Sequence, residues 1–140
     1  MRIAIGCDHG GIGLKAELVE VLQSLGHEVD DRGCYSTESV DYPEFARAVC
    51  VKVQDRSVDR GILICGTGIG MSMAANRMEG IRAALCHELF TARMSREHND
   101  ANVLCLGARV IGPGLAAEMV RVWVATEFAG GRHLQRISMF

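Results

Sequence analysis

The chain has 140 residues, 49% of them apolar and 23% charged, and its formal net charge at pH 7 is −2. This balance is typical of a globular protein, and it excludes a disordered chain and the broad basic field that non-specific nucleic-acid binding needs. No apolar run reaches the roughly 18 residues of a membrane-spanning helix, and the chain opens directly into an apolar strand. We therefore expect no nucleic-acid or membrane partner and a cytoplasmic location.

In chain order, the apolar spacing and the helix start and stop residues predict an alternation of strands and helices. The predicted elements are a strand over 2–7, a helix over 13–25, a weaker strand over 27–31, a loop over 33–42, a helix over 43–54, a strand over 60–65, a helix over 69–78, a strand over 81–86, a helix over 88–96, a strand over 103–106 and a helix from 113 to about 129–131.

This alternation predicts a single domain over residues 1–140, an α/β protein with a three-layer Rossmann-like fold around a five-stranded parallel sheet. In such folds ligands bind beyond the carboxyl ends of the strands. That rule selects the segments after the strands over 2–7, 60–65 and 103–106 as the first places to search for a site.

The six cysteines are widely spaced, and no CxxC pair is present to suggest zinc or thioredoxin-like chemistry. With no export signal, reduced thiols in a cytoplasmic protein are the simplest interpretation, and a disulfide framework is not expected. We also expect no metal site and no cofactor.

The strongest local signal is the stretch over 64–71, Ile-Cys-Gly-Thr-Gly-Ile-Gly-Met, a strand end followed by a glycine-rich turn and a helix start. Free backbone amides and a helix start favour negative charge here, on a ligand or on the thiolate of Cys65. The spacing excludes a P-loop, a dinucleotide fingerprint and a tyrosine-phosphatase loop. From the loop alone, a buried structural cysteine beside a packing turn remains an equally good interpretation.

Three further groups of polar residues are candidates for a site, although each has an ordinary structural alternative. Asp8 and His9 follow the first strand and could instead form a turn. His98 and Asn99, an acid–base group and an amide donor, could equally lie at a solvated helix end. Arg109, Arg132 and Arg136 could bind a phosphate or simply form a charged surface. His27 and His87 are assigned no role.

Taken together, these motifs resemble the ribose-5-phosphate isomerase B family over nearly the whole chain. The matching stretches are Gly6-Cys7-Asp8-His9, Asp41-Tyr42-Pro43, the stretch over 61–70 (Gly-Ile-Leu-Ile-Cys-Gly-Thr-Gly-Ile-Gly), the stretch over 95–104 (Ser-Arg-Glu-His-Asn-Asp-Ala-Asn-Val-Leu) and Gly130-Gly131-Arg132-His133. The family also includes galactose-6-phosphate isomerase subunits and allose-6-phosphate isomerases.

The resemblance implies a role for each candidate residue. It implies that Cys65 is the base that moves a proton between C1 and C2 of an open-chain sugar, and that His98 opens the sugar ring. It further implies that the enediolate oxygen is held by the catalytic Thr67 and the backbone of Gly66, Gly68, Ile69 and Gly70, with Asn99 assisting. The sugar and its phosphate end would contact Asp8 and His9, and the phosphate would be bound by Arg109, Arg132 and Arg136.

The resemblance also implies a homodimer or homotetramer whose sites lie at the subunit interface. We therefore expect a metal-independent aldose–ketose isomerase that interconverts D-ribose 5-phosphate and D-ribulose 5-phosphate. The alternatives are an isomerase of allose 6-phosphate or galactose 6-phosphate, and a non-catalytic module that binds a sugar phosphate.

Overall fold

The computed structural model describes residues 1–140 and shows one five-stranded, all-parallel sheet with helices on both faces. The strand order across the sheet is β2-β1-β3-β5-β4. The elements are β1 (Arg2–Cys7), α1 (Ile12–Ser24), β2 (Glu28–Asp31), α2 (Tyr42–Gln54), β3 (Arg60–Cys65), α3 (Ile69–Ala75), β4 (Ala83–Leu85), α4 (Leu89–Glu97), β5 (Val103–Gly107), α5 (Pro113–Ala125) and α6 (Arg132–Ile137). The predicted three-layer α/β fold is confirmed.

Two hydrophobic cores lie on opposite faces of the sheet. The larger core packs α1 and α5 against one face and includes the fully buried Trp123. The smaller core packs α2 and α3 against the other face, with Val49 and Met71 among its buried side chains. Because β3 lies at the centre between both cores, all six of its residues are buried.

The largest difference from the predicted elements is at the C-terminus. The prediction of one helix running to about residue 129–131 is wrong, because α5 ends at Ala125 and Thr126 adopts an extended backbone. Gly130 and Gly131 then have positive φ angles of 65° and 55°, which reverse the chain before α6. Smaller differences occur at α3, which ends at Ala75 and not at 78, and at β4, which is shorter than predicted.

At the free edge of β4, the side chain of Asn76 pairs with the backbone of Ala83. Its amide Nδ2 donates to the carbonyl of Ala83 at 2.8 Å, and its Oδ1 accepts the N–H of Ala83 at 2.8 Å. One side chain thus makes both backbone hydrogen bonds that a neighbouring strand would make with this residue.

No helix in the structure combines the length and the apolar character that a membrane crossing requires. All six cysteines are unpaired and buried.

Candidate active site

Loops from three strands meet at the carboxyl edge of the sheet, and backbone hydrogen bonds tie them together. The N–H of Asp8, just after β1, donates to the carbonyl of Ile64 in β3 at 3.0 Å. The N–H groups of Ala108 and Arg109, just after β5, donate to the carbonyls of Cys65 and Gly66, both at 2.9 Å. The sequence rule that selected these three strand ends therefore identified segments that are adjacent in space.

Cys65 is the last residue of β3, and its sulfur accepts a hydrogen bond from the loop that follows. The N–H of Gly68 lies 3.1 Å from Cys65 Sγ. Gly68 can present its N–H in this way because its φ of 78° lies in the left-handed region that favours glycine. The hydroxyl of Thr67 accepts the N–H of Ile69 at 3.2 Å, so this loop is fixed by its own hydrogen bonds.

Asp8 and Arg109 lie beside the glycines of this loop. Asp8 is only 8% exposed, and its carboxylate accepts the N–H of Gly10 at 2.9 Å. A Cβ on Gly10 would be 3.6 Å from Arg109 Nη2, and a Cβ on Gly66 would be 3.5 Å from Arg109 Nη1. A carboxylate and a guanidinium thus lie beside the loop that follows Cys65.

His9 has a defined hydrogen-bonding role at the same edge. Its Nδ1 accepts the N–H of Val40 at 3.2 Å. A neutral imidazole that accepts at Nδ1 carries its proton on Nε2, and this leaves the Nε2–H available to a ligand oxygen.

Tyr42 and His87 also contact this loop and are further candidates for the site, although the sequence motifs assigned neither a role. The ring of Tyr42 packs against Gly70, where an added Cβ would be 2.6 Å from Tyr42 Cζ. His87, two residues after β4, has its Nε2 3.4 Å from the carbonyl of Thr67. Tyr42 lay within a stretch that matched the family. His87 could have been found by applying the strand-end rule to β4 as well.

The second group of candidate residues lies at the opposite, amino edge of the sheet. His98 and Asn99 follow α4 and precede β5, and Asn99 O accepts from Arg82, which directly precedes β4. The carbonyl of Glu97 accepts the N–H of Ala129, so the segment leading to α6 is held at this edge too. The five residues of β5, at about 3.3 Å each, separate the two edges by roughly 15 Å. Within one chain, His98, Asn99, Arg132 and Arg136 are therefore not brought together with Cys65.

The rings of His98 and His133 stack at the amino edge, with centroids 4.2 Å apart and planes 8° from parallel. The pKa of His133 is lowered by desolvation and then by the nearby charges of His98, Arg132 and Arg136. The two arginines lie one helical turn apart on α6 and are both exposed. This edge therefore presents a stacked histidine pair beside two free guanidinium groups.

Four of the other five buried cysteines have thiols that burial keeps protonated. Burial raises the pKa of both Cys7 and Cys50 to about 12, and it also raises the pKa of Cys86 and Cys105. These four side chains are neutral thiols at pH 7. No group of three or more histidine, cysteine or carboxylate side chains is arranged to hold a metal ion.

This fold and this edge define an α/β protein whose glycine-rich loop and nearby guanidinium suit a small anionic ligand. Residues 3–140 match the family model described as ribose/galactose isomerase. The chain therefore belongs to the ribose/galactose isomerase family, and at the level of class this confirms the predicted sugar-phosphate isomerase.

Named relatives agree with this assignment. Ribose-5-phosphate isomerase B of Escherichia coli is 51% identical over 97% of this chain and 91% of its own length. D-erythrulose-4-phosphate isomerase of Pectobacterium atrosepticum is 46% identical over 94% of this chain and 87% of its own length. The solved structure of Clostridium thermocellum ribose-5-phosphate isomerase B has a TM-score of 0.98 and 53% identity, with 99% of this chain and 94% of that chain covered.

Proposed function

We propose that this protein interconverts D-ribose 5-phosphate and D-ribulose 5-phosphate through a cis-enediolate, with Cys65 as the base. The observation that carries the proposal is the hydrogen bond from Gly68 N–H to Cys65 Sγ, in a glycine-rich loop at the carboxyl edge of the sheet. An N–H donor held against sulfur stabilises a thiolate, and the thiolate is the form of cysteine that accepts a proton.

In the forward direction, Cys65 removes the proton from C2 of the open-chain aldose and returns it to C1. Electrons move from the C2–H bond into a C1–C2 double bond, and a proton passes from the oxygen on C2 to the oxygen on C1. The negative charge that develops on oxygen needs donors that are in place beforehand. The hydroxyl of Thr67 and the N–H groups of Gly66 and Gly70 supply them. Gly68 and Ile69 shape the loop, since their N–H groups donate to Cys65 Sγ and to the Thr67 hydroxyl.

Ring opening comes before proton transfer, because ribose 5-phosphate is mainly a furanose. His98 carries this step as a general acid–base group. Because His98 and Cys65 lie at opposite edges of one chain, a complete site is formed by Cys65 of one copy and His98 of another. The active form is therefore a homodimer or homotetramer with sites between subunits.

The phosphate end of the substrate is bound by arginines from both edges. Arg132 and Arg136 are exposed, project from adjacent turns of α6 and have no carboxylate partner among the ion pairs of the structure. Arg109 supplies a third guanidinium beside the loop, while Asp8 and His9 contact the sugar and Asn99 donates to the enediolate oxygen. Charged, forked donors of this kind suit a dianionic phosphate.

The first test is the conversion of ribose 5-phosphate by purified protein in the presence of EDTA, with Cys65→Ala and Cys50→Ala measured alongside. We expect full activity in EDTA, a loss of at least about 1,000-fold in Cys65→Ala, and near-normal kcat in Cys50→Ala, since only Cys65 transfers the proton. Comparable losses in both variants would assign Cys65 a packing role. Inactivation by EDTA would contradict a metal-independent reaction.

A panel of substrates tests the choice of sugar. The name of the Pectobacterium relative makes D-erythrulose 4-phosphate a specific second candidate, and allose and galactose 6-phosphates complete the panel. A preference of more than about tenfold in kcat/KM identifies the substrate. Binding of these sugars without turnover of any would instead indicate a non-catalytic binding module.

A further inference from the structure

The turn between α4 and β5 has an unusual backbone. Asp100 has a φ of 45°, in the left-handed region that residues other than glycine rarely adopt. Its N–H donates to the carbonyl of Arg96 at 3.0 Å, and the next N–H, of Ala101, donates to the carbonyl of Ser95 at 2.9 Å. A side chain held in this region needs support from its surroundings.

That support comes largely from the guanidinium of Arg82. Its Nε donates to the carbonyls of Asn99 and Asp100, each at 3.1 Å. Its Nη2 donates to the Asp100 carbonyl at 2.9 Å and to the Asp100 carboxylate at 3.0 Å. The other carboxylate oxygen of Asp100 accepts from Arg96 Nη1 at 2.8 Å. Hydrogen bonds from a charged donor are the strong ones, so this is a firm clamp on the backbone.

The two arginines differ in what else they support. Arg96 also donates to the carbonyls of Thr126 and Ala101 and lies near the ring of Trp123, so replacing it would disturb the larger core. Every side-chain hydrogen bond of Arg82 ends on Asn99 or Asp100. Its side chain is 28% exposed, so it can be replaced without opening a cavity in the core.

We infer that Arg82 is a positioning residue for the isomerisation, because its guanidinium fixes the backbone that carries the side chains of His98 and Asn99. This inference rests on the proposed function, in which His98 opens the sugar ring. Arg82 touches no reacting atom itself. It acts through the carbonyls of Asn99 and Asp100, which it holds at hydrogen-bonding distance, and His98 directly precedes them in the same turn.

The experiment is a double-mutant cycle measured by steady-state kinetics on ribose 5-phosphate. The variants are Arg82→Met, Arg82→Lys and the control Arg93→Met, each in the native chain and in a His98→Asn background. Arg93 lies on α4 and is exposed, and its side chain makes no hydrogen bond or ion pair in the structure. Circular dichroism and the unfolding midpoint establish that each variant is folded, and Arg82→Lys replaces Arg82→Met if the latter does not fold.

We expect Arg82→Met to lower kcat by about tenfold or more and to change KM by less than about threefold, since looser positioning weakens chemistry more than binding. In the His98→Asn background the same change should lower kcat by less than about threefold, because a group that acts through His98 has nothing left to position. Arg93→Met should have no effect in either background.

If Arg82→Met lowers kcat by the same factor in the native chain and in the His98→Asn background, the inference is overturned and Arg82 has a general structural role. An unchanged kcat in Arg82→Met would overturn it as well. A native chain that converts no sugar phosphate at all would instead reject the proposed function, and the inference with it.

Discussion

At the scale of single residues, the six cysteines are buried alike but differ in their surroundings. Cys65 Sγ accepts a backbone N–H, whereas burial holds Cys50 as a neutral thiol with a pKa of about 12. The flanking residues of both are apolar, so the sequence alone left Cys65 equally consistent with a structural role. The difference depends on the position of Gly68 N–H, which only the folded loop defines.

The raised pKa of Cys50 predicts a loss of stability in alkaline solution. The ordinary thiol pKa is 9.0, and in the folded protein that of Cys50 is about 12. Above pH 9 the unfolded chain loses this proton while the folded chain keeps it. The contribution of the Cys50 thiol to the free energy of unfolding is therefore intact below pH 9. It is lost as the pH rises towards 12, at up to about 1.4 kcal/mol per pH unit.

Urea unfolding of the native chain and of Cys50→Ala at pH 8 and pH 10 measures this effect. Between pH 8 and pH 10 the free energy of unfolding should fall in both proteins. We expect the fall to be about 1 kcal/mol smaller in Cys50→Ala than in the native chain. The constant cost of removing the side chain cancels in this difference. Equal losses between the two pH values would show that Cys50 ionises at its ordinary pKa in the folded state.

At the scale of elements, strands and helices were largely predictable because apolar periodicity and glycine placement are local. The break between α5 and α6 was not, since it depends on the extended backbone of Thr126 and the positive φ angles of Gly130 and Gly131. The contact between Tyr42 and Gly70 joins α2 to α3, and no pattern within either helix indicates it.

This contact predicts different outcomes for the same substitution in two helices. Gly70 and Gly114 are each the second residue of their helix, but only Gly70 faces a ring, because nothing lies within 4 Å of a Cβ on Gly114. We expect Gly114→Ala to raise stability by up to about 1 kcal/mol. Gly70→Ala should displace Tyr42, lower stability by about 1 kcal/mol or more and reduce kcat/KM on ribose 5-phosphate by about tenfold.

Thermal unfolding and steady-state kinetics of the two variants provide the measurement. If the ring of Tyr42 causes the effect, the double variant Gly70→Ala with Tyr42→Ala should regain stability relative to Gly70→Ala. Normal activity in Gly70→Ala would mean that the loop and the ring tolerate a methyl group.

At the scale of the whole molecule, the two edges of the sheet carry complementary halves of the proposed site. The rule that ligands bind beyond the carboxyl ends of parallel strands identifies the edge with Cys65. The same rule cannot identify His98 or Arg132, because both lie at the amino edge. Nothing in a single chain indicates that the two edges contact the same ligand. Only the family resemblance connected the two groups.

This division predicts complementation between impaired variants. Cys65→Ala and His98→Asn are each expected to retain only a small, measurable fraction of the native activity alone. After unfolding, equal mixing and refolding, half of the dimers combine both variants, and in each of these one of the two sites has a native Cys65 and a native His98. The mixture should recover about a quarter of the native activity. A mixture that is no more active than its components would show that Cys65 and His98 of different chains do not form a common site.

Asn76 has a consequence for how copies of this chain can meet. A sheet that ends in unpaired backbone groups invites strands of other molecules to continue it, which is a common route to fibrils. Asn76 occupies both backbone groups of Ala83, the first residue of the edge strand β4. A strand from another molecule must therefore displace this side chain before it can pair with Ala83.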